Sequence, residues 1–317
     1  MIEQDTILKR WCTIAPIDLH CCDDNIFMDD PITLGDNVTL SKSPIWFREF
    51  AQCKDLCIDE QGEIEHSEYI LCNEYDAINR SEPDRFWQGK YKKEKGRKID
   101  QELMYANLAI WLAFPLRIGF KYLFDFYKMG DRWKIYGRGR YIDRLVPNKH
   151  YKKNTLSFKN LETAKSLFQR LRLFLNYSDS TIKRCASTLH WALLHADWDH
   201  RYLLLWMALE TLFTPMRRKR ITNQLVQNIA FFLGSNNDEI GSLIQTINEY
   251  YYWRCLIVHG RSLEELVGKT PDLQLSIQYE TEELVRKSLL RILADERRTA
   301  VFDSPSRDKY LKSLSKK

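Results

Sequence analysis

Tyr250-Tyr251-Tyr252-Trp253-Arg254-Cys255-Leu256-Ile257-Val258-His259-Gly260 closes a long amphipathic pattern. Leading into it, Ile240, Ile244, Ile247, Tyr251, Arg254 and Val258 recur at intervals of three or four residues, the spacing of one helix face. Arg254 therefore sets a permanent charge on the stripe that should face the core. His259 follows, and Gly260 is placed to end the helix in a left-handed cap.

Working outward, an earlier helix repeats the anomaly. Leu203, Trp206, Met207, Glu210 and Phe213 share a face, so a carboxylate also lies on an apolar stripe. An unpaired buried charge is expensive or shifts its protonation state. If both helices belong to one bundle, Glu210 and Arg254 are each other's most economical partner, and a structural ion pair is a sufficient reading of those two alone.

His259 adds chemistry. It differs from Arg254 by about 140° around a regular helix, so the two do not point together unless the last turn unwinds. A symmetric dimer would solve this by bringing both residues of two chains into one cleft. Imidazoles exchange protons near neutral pH, and guanidiniums grip phosphate in a fork. Such a cleft could cleave RNA at its own 2′-hydroxyl, with one His as base, another as acid, and Arg on the charged phosphorane. The scheme requires no metal or other cofactor.

The surrounding sequence is helical. Beyond His150 the breaks fall at Tyr177-Ser178-Asp179, Asp197-Trp198-Asp199, Pro215, Gly234-Ser235-Asn236 and 260–272. They separate helices expected near 160–176, then one capped by Asp179 or Ser180, one capped by Asp199, then 221–233, 237–259 and a last near 280–295. Short connections make neighbours antiparallel in a bundle. The Lys- and Ser-rich stretch after Arg297 reads as a frayed tail.

Before residue 150 the pattern is mixed. Ile7 to Ile14, Val38 to Leu40 and Tyr69 to Cys72 have strand content, punctuated by Pro31, Gly35 and Pro44. A helix through Trp111 stops at Pro115, a period-two run follows, and Trp133 to Tyr141 is a further strand candidate. Lys90 to Lys98 reads as a basic surface loop or hinge. The expected fold class is thus an α+β N-terminal domain over 1–150, an all-α helical bundle over 151–300 and a basic flexible tail over 301–317.

Composition bounds the partners. The chain has 317 residues, 44% hydrophobic and 29% charged, with a net charge of +5 from 48 basic and 43 acidic residues. That permits a polyanionic partner without demanding one. No run is long and apolar enough for a membrane span, the N-terminus lacks the basic start and apolar core of a signal peptide, and the eight cysteines are scattered. A cytoplasmic protein with reduced thiols is the expectation.

Arg254-Cys255-Leu256-Ile257-Val258-His259 is an Arg-x4-His motif at the end of a bundle helix, and it resembles the signature of HEPN domains. Trp206-Met207-Ala208-Leu209-Glu210-Thr211-Leu212-Phe213 resembles the corresponding helix of their ApeA-like branch. The resemblance covers roughly residues 155 to 298. It implies a metal-independent ribonuclease, dimeric through the bundle, of the kind used in bacterial anti-phage defence and toxin systems. Arg254 and His259 would be the catalytic pair and Glu210 the residue holding Arg254. Active members commonly carry Asn, Asp or His after the arginine, where this chain has Cys255, a poor polar orienter. The alternative is a catalytically silent bundle serving as a dimerisation or interaction module. The N-terminal domain would then sense a trigger, bind a regulatory partner or restrain the nuclease.

Other groups rank lower. Arg217-Arg218-Lys219-Arg220 is either a solvated loop or a contact to the RNA backbone. Trp87, Tyr91 and the run Lys90 to Lys98 offer aromatic and basic groups together, compatible with RNA stacking. His20-Cys21-Cys22 with Cys53, Cys57 and Cys72 matches no standard zinc spacing. His190, His195 and His200 recur every five residues and read as helix-end and surface histidines.

Overall fold

The computed structural model describes residues 8–17, 30–54, 56–78, 90–115, 122–129, 131–135, 140–141, 157–174, 177, 179–195, 197–215, 221–268 and 271–314. The chain divides into two compact units, Met1–Leu145 with Lys153–Leu175, and Val146–Lys152 with Asn176–Lys317.

The first unit is built on an antiparallel sheet. Its strands are β1 (Leu8–Ile17), β2 (Ile32–Thr33), β3 (Val38–Lys42), β4 (Tyr69–Ile78), β5 (Tyr122–Met129) and β6 (Arg132–Ile135), in the order β2-β3-β4-β1-β5-β6. A short β7 (Arg140–Tyr141) pairs with the start of β5, so both ends of the stretch from Trp133 to Tyr141 are strand paired with β5, and 136–139 lie outside the described residues. β1 is central, and Trp11 through Ile17 are all buried because both faces are covered.

One face carries Cys12, Ile14, Ile70, Cys72, Phe124 and Phe126. Against it pack Phe47 of α1 (Ile45–Arg48) and Ile64 of α2 (Ile58–His66). The other face is partly polar. Thr13 donates to Asp125 at 2.6 Å, and Asn73 donates to Glu102 at 2.9 Å. Glu102 lies on α3 (Lys90–Ala113) and also accepts from Arg172 Nε at 3.2 Å, while Arg172 Nη1 reaches Asp36 at 2.6 Å. These buried groups are paired as burial demands, whereas Asn107 of α3, 0% exposed, has neither side-chain polar atom hydrogen-bonded among the described residues.

Two expectations change in this unit. Lys90 to Lys98 is the first part of α3, not a loop, since Lys, Glu and Arg are good helix formers and extend the amphipathic run behind them. The helix foreseen from residue 160 is α4 (Phe158–Leu173), and it packs along α3 through Leu161, Ala164, Leu167, Phe168 and Leu171. Gly35 confirms that fit: a β-carbon there would sit 2.7 Å from the Phe168 ring, so only glycine lets the turn come this close.

The second unit is helical. It comprises α5 (Thr181–Leu194), α6 (Trp198–Phe213), α7 (Ile221–Leu233), α8 (Asn237–Val258), α9 (Leu263–Val267), α10 (Pro271–Leu293), α11 (Glu296–Phe302) and α12 (Arg307–Leu314). Ser180, Asp197 and Asn236 accept the N3 amide of α5, α6 and α8 respectively. The cap of α6 is therefore Asp197 and not Asp199. The last long helix starts at Pro271, two turns before the expected 280, because Gln274, Ile277, Gln278 and Thr281 continue its buried face.

The stretch after Arg297 is not frayed. Phe302 is fully buried between Phe213 and Phe232, with ring centroids 5.8 and 5.3 Å away, and Leu311 and Leu314 are buried as well. Among the described residues no helix is long and apolar enough to cross a membrane.

Candidate functional site

α6 and α8 run side by side in the same direction, joined by three rungs that are one turn apart on α6 and fall on residues 250, 251 and 254 of α8. Tyr202 donates its hydroxyl to the Tyr250 carbonyl at 2.7 Å, Trp206 meets Tyr251 edge to face at 5.2 Å, and Arg254 meets Glu210. The first two rungs are aromatic and buried, and they set the register that the third requires.

At that third rung, Arg254 Nη2 lies 2.9 Å from Glu210 Oε1 and 3.2 Å from Oε2. The Tyr251 hydroxyl donates to Oε1 at 3.2 Å, and the guanidinium sits over the Tyr251 ring at 5.5 Å. Burial, and next the charge of Glu210, push the Tyr251 phenol pKa up, so it stays a donor. The pairing inferred from two displaced charges is thus present.

The pair is less deep than the stripes suggest. The side chains of Arg254 and Glu210 are 21% and 24% exposed. Water reaches them, and the pair stabilises the fold by about 1 kcal/mol or less. Only Nη2 of Arg254 is committed. Among the described residues its buried Nε has no hydrogen-bond partner and Nη1 makes no hydrogen bond. Because the side chain is 21% exposed, it is Nη1, outside the buried atoms, that can meet an incoming anion.

His259 lies just past the end of α8. The Arg261 amide bonds to the Leu256 carbonyl at 3.1 Å and the Gly260 amide to Ile257 at 3.0 Å, with Gly260 at φ 92°. This is a Schellman cap around His259, with Gly260 in the left-handed conformation that its lack of a β-carbon allows. The following chain is fastened too, as Leu263 is buried and its amide bonds to Asp199 Oδ1 at 2.8 Å. Asp199 thus has a tertiary task in place of the cap.

His259 is exposed, and its side chain has no partner among the described residues. α8 stays helical to Val258, so the last turn does not unwind and no bond joins His259 to Arg254 within the chain. Cys255 is half-buried beside them. Met207, one turn before Glu210, and Val258, one turn after Arg254, are 49% and 53% exposed, although both lie on the stripes expected to be buried.

The remaining candidates separate. Arg217, Arg218, Lys219 and Arg220 lie outside the described residues, as do His20, Cys21, Cys22 and Trp87; for Tyr91 only the helical backbone is described. Among the described residues no group of three or more His, Cys, Asp or Glu is arranged to hold a metal ion. His195 ends α5 and His200 is exposed, its Nδ1 2.9 Å from Asp197. His190 departs from expectation: it is 1% exposed, and among the described residues neither ring nitrogen is hydrogen-bonded.

A deeper ion pair went unforeseen. Arg201 of α6 and Glu282 of α10 are 4% and 0% exposed, with Nε donating at 2.8 Å and Nη2 2.6 Å from the same oxygen. Its signal was Arg201 one turn before Leu205, and Glu282 one turn before Val285, on core-facing stripes.

No family model matches the chain, and neither a curated protein nor a solved structure matches it.

Proposed function

We propose that the helical unit is a HEPN-like endoribonuclease that works as a homodimer, without a metal, in a defence or toxin setting. One observation carries this reading: Arg254 is oriented by Glu210 and Tyr251 with Nη2 alone committed, its side chain remains partly exposed, and five residues on stands an exposed His259 without a partner among the described residues. A guanidinium bonded to a carboxylate at one nitrogen and free at another is placed to receive a phosphate.

In the proposed reaction one His259 takes the proton of the ribose 2′-hydroxyl. The 2′-oxygen attacks the adjacent phosphorus, Arg254 stabilises the charged phosphorane, and His259 of the second protomer protonates the departing 5′-oxygen. The products are a 2′,3′-cyclic phosphate and a 5′-hydroxyl, and both protons are accounted for. The divergence of Arg254 and His259 around α8 supports a cleft assembled from two chains. The half-exposed Met207 and Val258 supply apolar surface for that assembly.

The test is incubation of the purified full chain with total RNA in EDTA, beside Arg254→Ala, His259→Ala and Glu210→Gln. Cleavage with cyclic-phosphate ends, lost in the first two variants and weakened in the third, is expected. Equal activity in all, or activity abolished by EDTA, would overturn the mechanism. Cys255 favours a second reading, a silent dimerisation module, for which mass photometry shows a dimer while no RNA is cut. A strict monomer counts against both.

A further inference from the structure

A cavity of about 560 Å³ opens on the first unit, lined by Trp46, Glu49, Phe50, Lys128, Asp131, Arg132 and Trp133. Its floor is aromatic. Trp46 and Trp133 stack at 5.4 Å with 20° between their planes, and Trp46 is wedged edge to face against Phe50 and Phe126 at 6.3 and 5.3 Å. These rings are anchored to the buried face of the sheet, so the floor is rigid.

The position of Lys128 makes this more than a surface dent. Tyr122, Phe124 and Phe126 place the even residues of β5 on the core face, and Lys128 continues that row where an apolar residue would be expected. It lies directly across from Trp133 in the β5–β6 ladder. Lys128 is half-buried and forms no ion pair among the described residues, although Glu49 and Asp131 line the same cavity. Those carboxylates are exposed, as is Arg132. A cation beside indole rings, uncommitted to either carboxylate, selects a ligand that is both planar and anionic.

We propose that this cavity binds a nucleotide, its base stacked on the Trp46–Trp133 floor and its phosphate held by Lys128, with Arg132 at the rim. The volume falls within the range of small-molecule sites, and base-on-aromatic stacking is a common way to hold a nucleotide without reading its identity. The ligand is either a free mononucleotide or the end of a single strand, which share this chemistry. The site is independent of the ribonuclease reading and stands or falls separately.

The experiment uses the full chain carrying His259→Ala, which leaves the cavity untouched. Calorimetric titration is run with AMP, UMP, a five-nucleotide RNA, inorganic phosphate and choline. Binding of mononucleotides identifies a free nucleotide as ligand; binding of the oligonucleotide alone identifies a strand end. In either case Trp133→Ala and Lys128→Gln each weaken binding about tenfold, and Trp133→Phe recovers most of it. Unchanged circular dichroism shows that the variants fold; if Trp133→Ala does not, Lys128→Gln with Trp133→Phe decides. Binding by neither ligand, binding indifferent to these substitutions, equal binding of phosphate alone, or preference for choline overturns the proposal.

Discussion

Arg307 donates to the carbonyl of Thr211 at 2.8 Å, the residue next to Glu210 on α6. Its guanidinium also reaches the Thr214 carbonyl at 3.2 Å and the Thr181 hydroxyl at 3.3 Å, and its side chain is 7% exposed. A C-terminal arginine thus closes the open carbonyl end of the helix that carries Glu210.

Arg307→Ala should therefore destabilise the helical unit by about 2–3 kcal/mol, since three acceptors lose their donor and two are carbonyls at a helix end. Urea denaturation measures it. Ending the chain at residue 300 removes Phe302 and Leu311 as well and should prevent stable folding. A truncated chain as stable as the full one would contradict the packing described.

The Arg201–Glu282 pair should behave differently from Arg254–Glu210. Removing one charge, as in Arg201→Met, leaves the other buried and uncompensated and costs about 3–5 kcal/mol. Replacing both, Arg201→Met with Glu282→Leu, should recover most of that loss. Additive losses in the double variant would show that the two charges do not act as a pair.

His190 links stability to pH. Burial lowers its pKa from 6.5 to about 4. Between those values the unfolded chain binds the proton and the folded chain does not, so stability rises with pH through this window and is lost as pH falls. Wild-type protein should lose about 2 kcal/mol more than His190→Phe between pH 7 and pH 5. Parallel losses in both proteins, by chemical denaturation at the two pH values, would remove His190 as the cause.

Gly260→Ala tests the cap around His259. A β-carbon there meets nothing within 4 Å, so any penalty comes from φ 92° alone. A loss of about 1 kcal/mol is expected, with Gly260→Asn milder. Thermal unfolding of the three proteins orders them, and an unchanged Gly260→Ala would show that the cap adjusts freely.

Much of this was legible in the chain. The stripes located α4 to α8, and two charges on two stripes were enough to pair Glu210 with Arg254. What failed has a common cause, that a residue's partner is not local. Asp197 and Asp199 are equally good caps by type, and only the amide of Leu263 decides between them. The tail is rich in Lys and Ser, but Phe302, Leu311 and Leu314 find a groove already built by α6 and α7. The apolar face of α4 was plain, whereas its choice of α3 depends on the space Gly35 leaves. Met207 and Val258 show the converse, apolar residues on a core stripe that the chain leaves uncovered.

The place of β1 has a consequence for synthesis. Ile14 pairs with Cys72 on one side and Phe124 on the other, so β1 is flanked by two strands that emerge from the ribosome well after it. Its buried row from Trp11 to Ile17 waits for β4 on one edge, and the other edge stays open until β5 has been made. Closing such distant pairings is slow, and the waiting strand is open to misassociation. A nascent chain of this protein would need shielding during that interval, and premature release before Met129 would leave an apolar strand with one edge unfilled.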